Sequence, residues 1–137
     1  MKAHIPDCSI FWAPALSLES FEQACSQIAK ELQIPPNADG ESAMESVQRQ
    51  LSSDKAGKWL FIVDNADDVD LLFDELYQYF PASKKGVTLL TTRSREVALS
   101  YIGRDIVELL NMIIKEGIAF LSKIIEEDSL CDQNSTI

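Results

Sequence analysis

The sequence predicts an α/β fold in which helices flank a parallel sheet to make three layers. Apolar and β-branched runs alternate along the chain with segments whose apolar residues recur at helical spacing, a pattern typical of parallel sheets. The run at 60–63 is apolar at every position, as expected for a strand that helices cover on both faces. A length of 137 residues suits one domain with its own core.

The first predicted elements are a strand and two helices. Residues 9–13 form a short apolar and aromatic run that a proline ends, which predicts a strand. Ser17 or Ser20 can cap the helix that follows, and Pro35-Pro36 stops it. A second helix opens near Asp39-Gly40. The apolar stripes of these helices are Phe21, Ala24, Ile28 and Leu32 in the first and Met44, Val47 and Leu51 in the second.

The middle of the chain predicts a strand, a helix and another strand. The apolar run that ends at Asp64 is the central strand, and Asp67 can cap the next helix, which ends at Pro81. Residues 87–92 are β-branched and mostly apolar, which favours a strand. We expect this strand and the one at 9–13 to lie on either side of the central strand.

The last third of the chain predicts two helices and a short strand. Ser94 caps a short helix that Gly103 closes, and residues 105–109 have the composition of a fourth strand. This strand either pairs with the strand at 87–92 or leaves that edge of the sheet bare. The last helix carries the stripe Ile114, Ile118, Leu121 and Ile125. Residues 126–137 are polar, and we expect them to fray.

Charge and cysteine content exclude several classes of function. A formal net charge of −10 repels nucleic acid and anionic membrane surfaces, so we expect neither as a partner. It leaves Mg²⁺ and basic proteins open as partners. The three cysteines are widely spaced and His4 is the only histidine, which argues against a disulfide framework or a structural zinc site. Reduced thiols fit a cytoplasmic location.

Polar side chains follow the two neighbouring strands of the predicted sheet, at the end of each strand. Asp64-Asn65 closes the first strand, and Thr91-Thr92-Arg93 closes the second. Ligands of open α/β sheets bind just outside the carboxyl ends of such strands. Asp64 could hold Mg²⁺ beside a phosphate there, and Arg93 could contact the phosphate with its guanidinium. Asn65 can orient a water but is a poor general base, so we assign no catalytic residue.

Each of these signals also has a simpler interpretation. The acidic cluster after Asp64 can act as helix caps and first-turn acids that complement the helix dipole. The two threonines can be ordinary strand residues, and Arg93 can pair with a surface acid for little energy. The simpler interpretation applies to Asp67, Asp68, Asp70, Thr91, Thr92 and Arg93. The cluster lacks the glycine and glutamate that an EF-hand loop requires.

The sequence lacks the phosphate-binding half of a nucleotide site. A phosphate loop has the pattern Gly-x-x-x-x-Gly-Lys-[Ser/Thr], whose backbone amides and lysine hold phosphates. The only Gly-Lys pair, Gly57-Lys58, is followed by Trp59 and has no glycine five residues before it. Intrinsic affinity for nucleotides should therefore be weak or lost, because those groups supply most of the binding energy.

Several segments of the chain resemble the NB-ARC domain of STAND-class P-loop NTPases, in the form found in fungal proteins that join it to helical repeats. Residues 57–68, GKWLFIVDNADD, look like its Walker B element, and residues 86–94, GVTLLTTRS, look like its sensor strand. Residues 10–13, followed by 20–23 and 28–32, are similar to the segment after its first helix. The resemblance covers residues 8–125 and leaves 126–137 as a tail.

The resemblance implies roles for the residues at the two strand ends. Asp64 would organise Mg²⁺, Arg93 would sense the terminal phosphate of ADP or ATP, and Asn65 and Thr92 would complete the nucleotide site. The family's first strand, phosphate loop and following helix would precede residue 8. The chain is therefore interpreted as an amino-terminally truncated, P-loop-NTPase-like NB-ARC domain that lacks Walker A and shows no appreciable ATP hydrolysis.

Two further hypotheses belong to other functional classes. The main alternative is a nucleotide-free protein-interaction fragment that docks on an intact relative, or on another copy, through an exposed sheet edge. A receiver-like phosphoacceptor should carry an acidic pair at the end of its first strand, where this chain has Trp12-Ala13. The preferred hypothesis remains part of an ADP/ATP-dependent signalling switch.

Overall fold

The computed structural model describes residues 4–5, 7–35, 40–101, 106–109 and 112–134. The chain divides into two compact units, Met1–Ile106 and Val107–Ile137. The first unit contains the sheet and the helices that pack on it. The second contains the last helix.

The sheet of the first unit has four strands in the order β1-β2-β3-β4. Strands β2, β3 and β4 are parallel, which confirms the predicted parallel sheet with the central strand in the middle. A short antiparallel strand, β1, pairs with the free side of β2 and was not predicted. The strands are β1 His4–Ile5, β2 Cys8–Pro14, β3 Lys58–Asp64 and β4 Gly86–Leu90.

Side-chain caps define where the helices begin. The hydroxyl of Ser17 accepts a hydrogen bond from the backbone N–H of Ser20, and the hydroxyl of Ser20 accepts one from the N–H of Ser17. This reciprocal capping box selects Ser17 as the start of the first helix. The second helix begins after Ser42 rather than at Gly40, because the Ser42 hydroxyl accepts from the N–H of Glu45. The helices are α1 Leu18–Glu31, α2 Ala43–Ser52 and α3 Arg95–Tyr101.

The helix between β3 and β4 is not a regular α-helix. Leu71–Leu76 forms a π-helix, and Tyr77–Tyr79 continues it as a 3-10 helix. The apolar spacing identified the buried face correctly, since Leu72 and Leu76 are buried. It could not identify the hydrogen-bond spacing, because wide and narrow turns can bury the same face. Asp68, not Asp67, caps this segment, with its carboxylate accepting from the N–H of Leu71.

The core lies on one face of the sheet. Side chains alternate along a strand, so one set from each strand faces the helices. Burying each large apolar side chain contributes about 1.5–3 kcal/mol. The ring of Phe21 meets that of Phe61 edge to face at 6.3 Å, which joins α1 to β3. The buried core comprises Phe11, Ala13, Phe21, Cys25, Ile28, Met44, Val47, Leu51, Trp59, Phe61, Val63, Leu72, Leu76 and Val97, among others.

Apolar side chains also point from the opposite face of the sheet. Trp12 lies beside Ile62, which lies beside Leu89, and the next row pairs Leu60 with Val87. Trp12 is 48% exposed, Leu89 48% and Val87 63%. Strand β4 is the last strand of the sheet within the part of the chain that is described, so its outer edge is bare there.

The predicted strand at 105–109 is not present at residues 106–109, and residue 105 lies outside the described residues. Val107 and Leu109 are 81% and 88% exposed. A short apolar run becomes a strand only where a neighbouring strand completes its hydrogen bonds, and these residues have no strand partner. The sequence left two outcomes for β4, a partner strand at 105–109 or a bare outer edge. Among the described residues the edge is bare.

The second unit contains the helix α4, Ile114–Asn134, which continues past residue 126 into the segment expected to fray. Several of its apolar side chains are exposed, including Ile114, Ile118 and Leu121. Among the described residues, no helix is both long and apolar enough to cross a membrane.

Candidate functional site

The loops after β3 and β4 are joined by backbone hydrogen bonds. The N–H of Thr91 donates to the carbonyl of Val63 at 2.9 Å, and the N–H of Ala66 donates to the carbonyl of Thr91 at 2.9 Å. The carbonyl of Asp64 accepts from the N–H of Ala15 at 2.7 Å, which brings the end of β2 to the same place. The carboxyl ends of the three parallel strands therefore meet, as the sequence predicted.

Thr91 organises the first group of side chains at this end of the sheet. Its hydroxyl donates a short hydrogen bond to Oδ1 of Asp64 and accepts one from the N–H of Asn65 at 3.0 Å. The side-chain amide of Asn65 donates to Oδ2 of Asp64 at 3.3 Å. These contacts restrict the rotamer of the Asp64 carboxylate, which is half-buried.

Asn65 has the left-handed backbone conformation, with φ at 59°. Asparagine tolerates this conformation better than most residues. The turn directs the chain away from β3 immediately after Asp64, so that the N–H of Asn65 points toward Thr91. This geometry gives Asn65 a structural reason to occupy its position that is independent of any ligand.

Asp67 organises the second group. Its Oδ1 accepts from the backbone N–H of Arg93 at 2.6 Å and from the hydroxyl of Thr92 at 3.2 Å. Its Oδ2 accepts from Nε of Arg93 at 2.9 Å and lies 2.9 Å from Nη2. The Thr92 hydroxyl also accepts from the N–H of Ser94 at 2.9 Å, next to the cap of α3. Among the described residues no hydrogen bond joins Asp64 to Arg93, so the predicted site consists of two adjacent groups.

The contacts of Asp67 change its acidity. The backbone N–H of Arg93 is the largest cause that holds the pKa of the Asp67 carboxyl below its usual range. The guanidinium and the Thr92 hydroxyl lower this pKa further, and partial burial opposes them. Asp67 is therefore ionised whenever ordinary aspartates are ionised.

The oxygen ligands at Asp64 suit Mg²⁺ only when other ligands accompany the ion. Magnesium prefers octahedral oxygen ligands and often takes one or two from carboxylates and the rest from phosphates and water. Within the described residues no three His, Cys, Asp or Glu side chains converge on one point. The chemistry at Asp64 therefore fits an ion that arrives with a phosphate chain rather than an ion held in a protein cage.

Sequence reasoning placed Thr91 at the strand end without giving it a role in the site, and it left Asp67 out of the site. Thr91 could have been identified from the strand register, since it follows the pair Val63–Leu90 and so lies beside Asp64. Asp67 was interpreted as a helix cap because it precedes an apolar helical stripe. Its contact with Arg93 joins positions far apart in sequence, and no local pattern indicates it.

A comparison with curated proteins gives one informative relative. The chain is 33% identical over 129 residues to a nucleotide-binding leucine-rich repeat (NLR)-like protein from Hyaloscypha variabilis. The chain is similar to an NLR-like protein. The match covers 85% of this chain and 13% of the relative, so the chain spans about an eighth of that protein's length. The likeness supports a relationship of the NLR and NB-ARC type, in agreement with the motifs at residues 57–68 and 86–94.

Other comparisons add nothing to this relationship. No protein-family profile and no solved structure matches the chain. The NLR-like relative and the motifs at the strand ends are therefore the basis for the function proposed below.

Proposed function

We propose that the chain is part of a nucleotide-dependent signalling switch of the NB-ARC type and supplies its magnesium and phosphate-sensing side. The observation that carries the proposal is that two polar groups, Asp64 with Thr91 and Asp67 with Arg93, lie at the carboxyl ends of adjacent parallel strands. The similarity to a protein named as nucleotide-binding supports it.

In this proposal Asp64 offers a carboxylate oxygen to Mg²⁺, and Thr91 and Asn65 hold that carboxylate in one orientation. Thr92 and Arg93 lie on the phosphate side, with Arg93 contacting the terminal phosphate of ADP or ATP. When bound with a phosphate chain, Mg²⁺ would neutralise part of its negative charge. Among the described residues at the strand ends we assign no general base, so we propose binding and signalling rather than hydrolysis.

Nucleotide affinity should depend on a phosphate loop. A phosphate chain needs several converging donors, and Arg93 supplies only one of them. We expect no micromolar binding of MgADP or MgATP by the 137-residue chain alone. A chain extended at its amino terminus by a strand, a phosphate loop and a helix of NB-ARC type should bind.

The test is calorimetric titration of both chains with MgADP and MgATP. In the extended chain, Asp64→Ala and Arg93→Ala should each weaken binding by about tenfold or more, equivalent to about 1.4 kcal/mol. Asp74→Ala is the control, because Asp74 is an exposed acid on the π-helix. Micromolar binding by the unextended chain would show that no phosphate loop is needed. Binding by the extended chain that is indifferent to both substitutions would place the site elsewhere.

A second candidate function is supported by the exposed side of the sheet. The outer edge of β4 is bare among the described residues, and Val87 and Leu89 are largely exposed. A bare strand edge can pair with a strand of another chain. This candidate predicts association in the absence of nucleotide, with no change on adding MgADP. Sedimentation velocity over a concentration series, with and without MgADP, distinguishes the two functions.

A further inference from the structure

Arg93 is held by one carboxylate at several points. Asp67 accepts from its backbone N–H and from Nε, and its Oδ2 also lies within 2.9 Å of Nη2. A contact to the backbone and the side chain of the same residue fixes both ends of the arginine. The Thr92 hydroxyl, which also donates to Asp67, fixes the turn in which Arg93 lies.

The contact leaves a specific part of the guanidinium available. A guanidinium has five N–H groups in a rigid plane. Nε and Nη2 form one edge, which Asp67 contacts. The two N–H groups of Nη1 and the second N–H of Nη2 form the other edge, for which the described residues provide no acceptor. The Arg93 side chain is 89% exposed, so this second edge faces solvent.

We propose that Asp67 is the positioning residue of Arg93, which it orients so that the Nη1–Nη2 edge binds a phosphate-type anion. A forked pair of N–H groups matches two oxygens of a phosphate, and holding it in place reduces the side-chain entropy lost on binding. This inference rests on the proposed function, because it concerns how Arg93 contacts phosphate. The ligand class is a polyphosphate, for which inorganic pyrophosphate is the probe.

An opposing effect of Asp67, which would lower the affinity of Arg93 for an anion, also has a physical basis. A carboxylate beside an arginine repels an incoming anion and competes for its N–H groups. If that effect dominated, removing the charge of Asp67 would strengthen anion binding. If positioning dominates, the same change weakens binding although it removes a negative charge. The sign of the change therefore decides between the two.

The experiment uses the ¹⁵N-labelled full chain and follows the Nε–H signal of Arg93 by NMR. Arg93→Lys identifies this signal by its disappearance. Asp67→Asn removes the charge while keeping an acceptor, and Asp67→Glu keeps the charge while moving the carboxylate by one methylene. Asp68→Asn is the matched control, because Asp68 neighbours Asp67 and its carboxylate accepts from the N–H of Leu71 instead. Amide spectra establish that each variant is folded, and Asp67→Glu carries the test if Asp67→Asn does not fold.

Wild type and Asp68→Asn should show slow exchange of the Arg93 Nε–H with water, and both variants of Asp67 should show fast exchange. In titrations with pyrophosphate at constant ionic strength, the response of Arg93 should be about two- to tenfold weaker in both Asp67 variants, the range for ordering one long side chain. Asp68→Asn should bind as well as wild type or slightly better. Equal or stronger binding by Asp67→Asn would overturn the inference, as would the absence of any Arg93 response in wild type.

Failure of this inference and failure of the proposed function are distinguishable. The proposed function is tested by dependence of MgADP binding on Asp64 and Arg93 in the extended chain. MgADP binding that depends on Asp64 and Arg93 would support the proposed function. If Asp67→Asn then bound pyrophosphate normally, only the role of Asp67 would be contradicted.

Discussion

At the scale of single residues, two contacts decide how the strand ends are built. Thr91 fixes the carboxylate of Asp64, and Asp67 fixes the guanidinium of Arg93. The sequence could predict that these residues lie near each other, because they follow neighbouring strands of a parallel sheet. It could not predict which acid contacts Arg93, because Asp67 and Asp68 are adjacent and both precede a helix.

The Asp67 contact predicts a particular dependence of stability on pH. Its folded-state pKa is lowered, so its contribution to stability is complete above the ordinary aspartate pKa of about 3.9. This contribution is lost as the pH falls through the folded-state pKa. We expect Asp67→Asn to destabilise the chain near neutral pH by about 0.2–1 kcal/mol, the range for exposed ion pairs.

The measurement is urea denaturation of wild type, Asp67→Asn and the control Asp68→Asn at several pH values. The difference between wild type and Asp67→Asn should shrink as the pH is lowered from neutral to well below the ordinary aspartate pKa of about 3.9. A difference that stays constant over this range would show that the charge of Asp67 does not stabilise the fold.

At the scale of elements, β3 and β4 pack closely where Trp59 meets Gly86, a contact that apolar patterning does not reveal. Trp59 lies beside Gly86 in the register, and its indole N–H donates to the carbonyl of Leu51 at 2.7 Å. A Cβ atom at Gly86 would lie 1.9 Å from the Trp59 ring. Strand β4 can therefore pair with β3 here only because residue 86 has no side chain.

Gly86→Ala should destabilise the chain by about 1–3 kcal/mol or more, as other overpacking substitutions do. The Trp59 ring would have to move, which would weaken its hydrogen bond to Leu51. Gly117→Ala is the control, because nothing lies within 4 Å of its added Cβ and alanine favours a helix by about 1 kcal/mol. Chemical denaturation measures both. Equal stability of Gly86→Ala and wild type would mean that β4 shifts freely against β3.

Apolar patterning was sufficient for the parallel strands, which have distinct apolar runs, and for the helices with local caps. The parallel strands, α1, α2 and α3 lie within a few residues of where the sequence indicated, and α2 begins at Ala43 rather than near Gly40. Apolar patterning was insufficient where the secondary structure depends on distant residues, as in the π-helix at Leu71–Leu76 and at residues 106–109. A strand propensity without a partner strand does not produce a strand.

At the scale of the whole molecule, two opposing properties control association. The net charge of −10 makes copies of the chain repel one another. The outer edge of β4 is bare among the described residues, with Val87 and Leu89 exposed beside it, and such an edge favours pairing between copies. Salt screens the repulsion without removing the edge, so association should increase with salt as well as with protein concentration.

Val87→Lys should reduce this association, because an edge lysine opposes pairing between strands. Leu99→Lys is the control, since Leu99 is an exposed apolar residue on α3. Light scattering over a series of protein and salt concentrations gives the average mass of each variant. A wild-type chain that stays monomeric throughout, or equal effects of the two lysines, would contradict a role for the β4 edge.

The two tryptophans of the chain can serve as separate fluorescent reporters. Trp59 is 2% exposed in the core, whereas Trp12 is 48% exposed on the opposite face of the sheet. In a Trp59→Phe variant, all tryptophan emission would come from Trp12. A molecule that covers this face would shift that emission to shorter wavelength and protect it from acrylamide quenching. A nucleotide bound outside the strand ends would leave the quenching of Trp12 unchanged, so one optical titration would report which side of the sheet a ligand occupies.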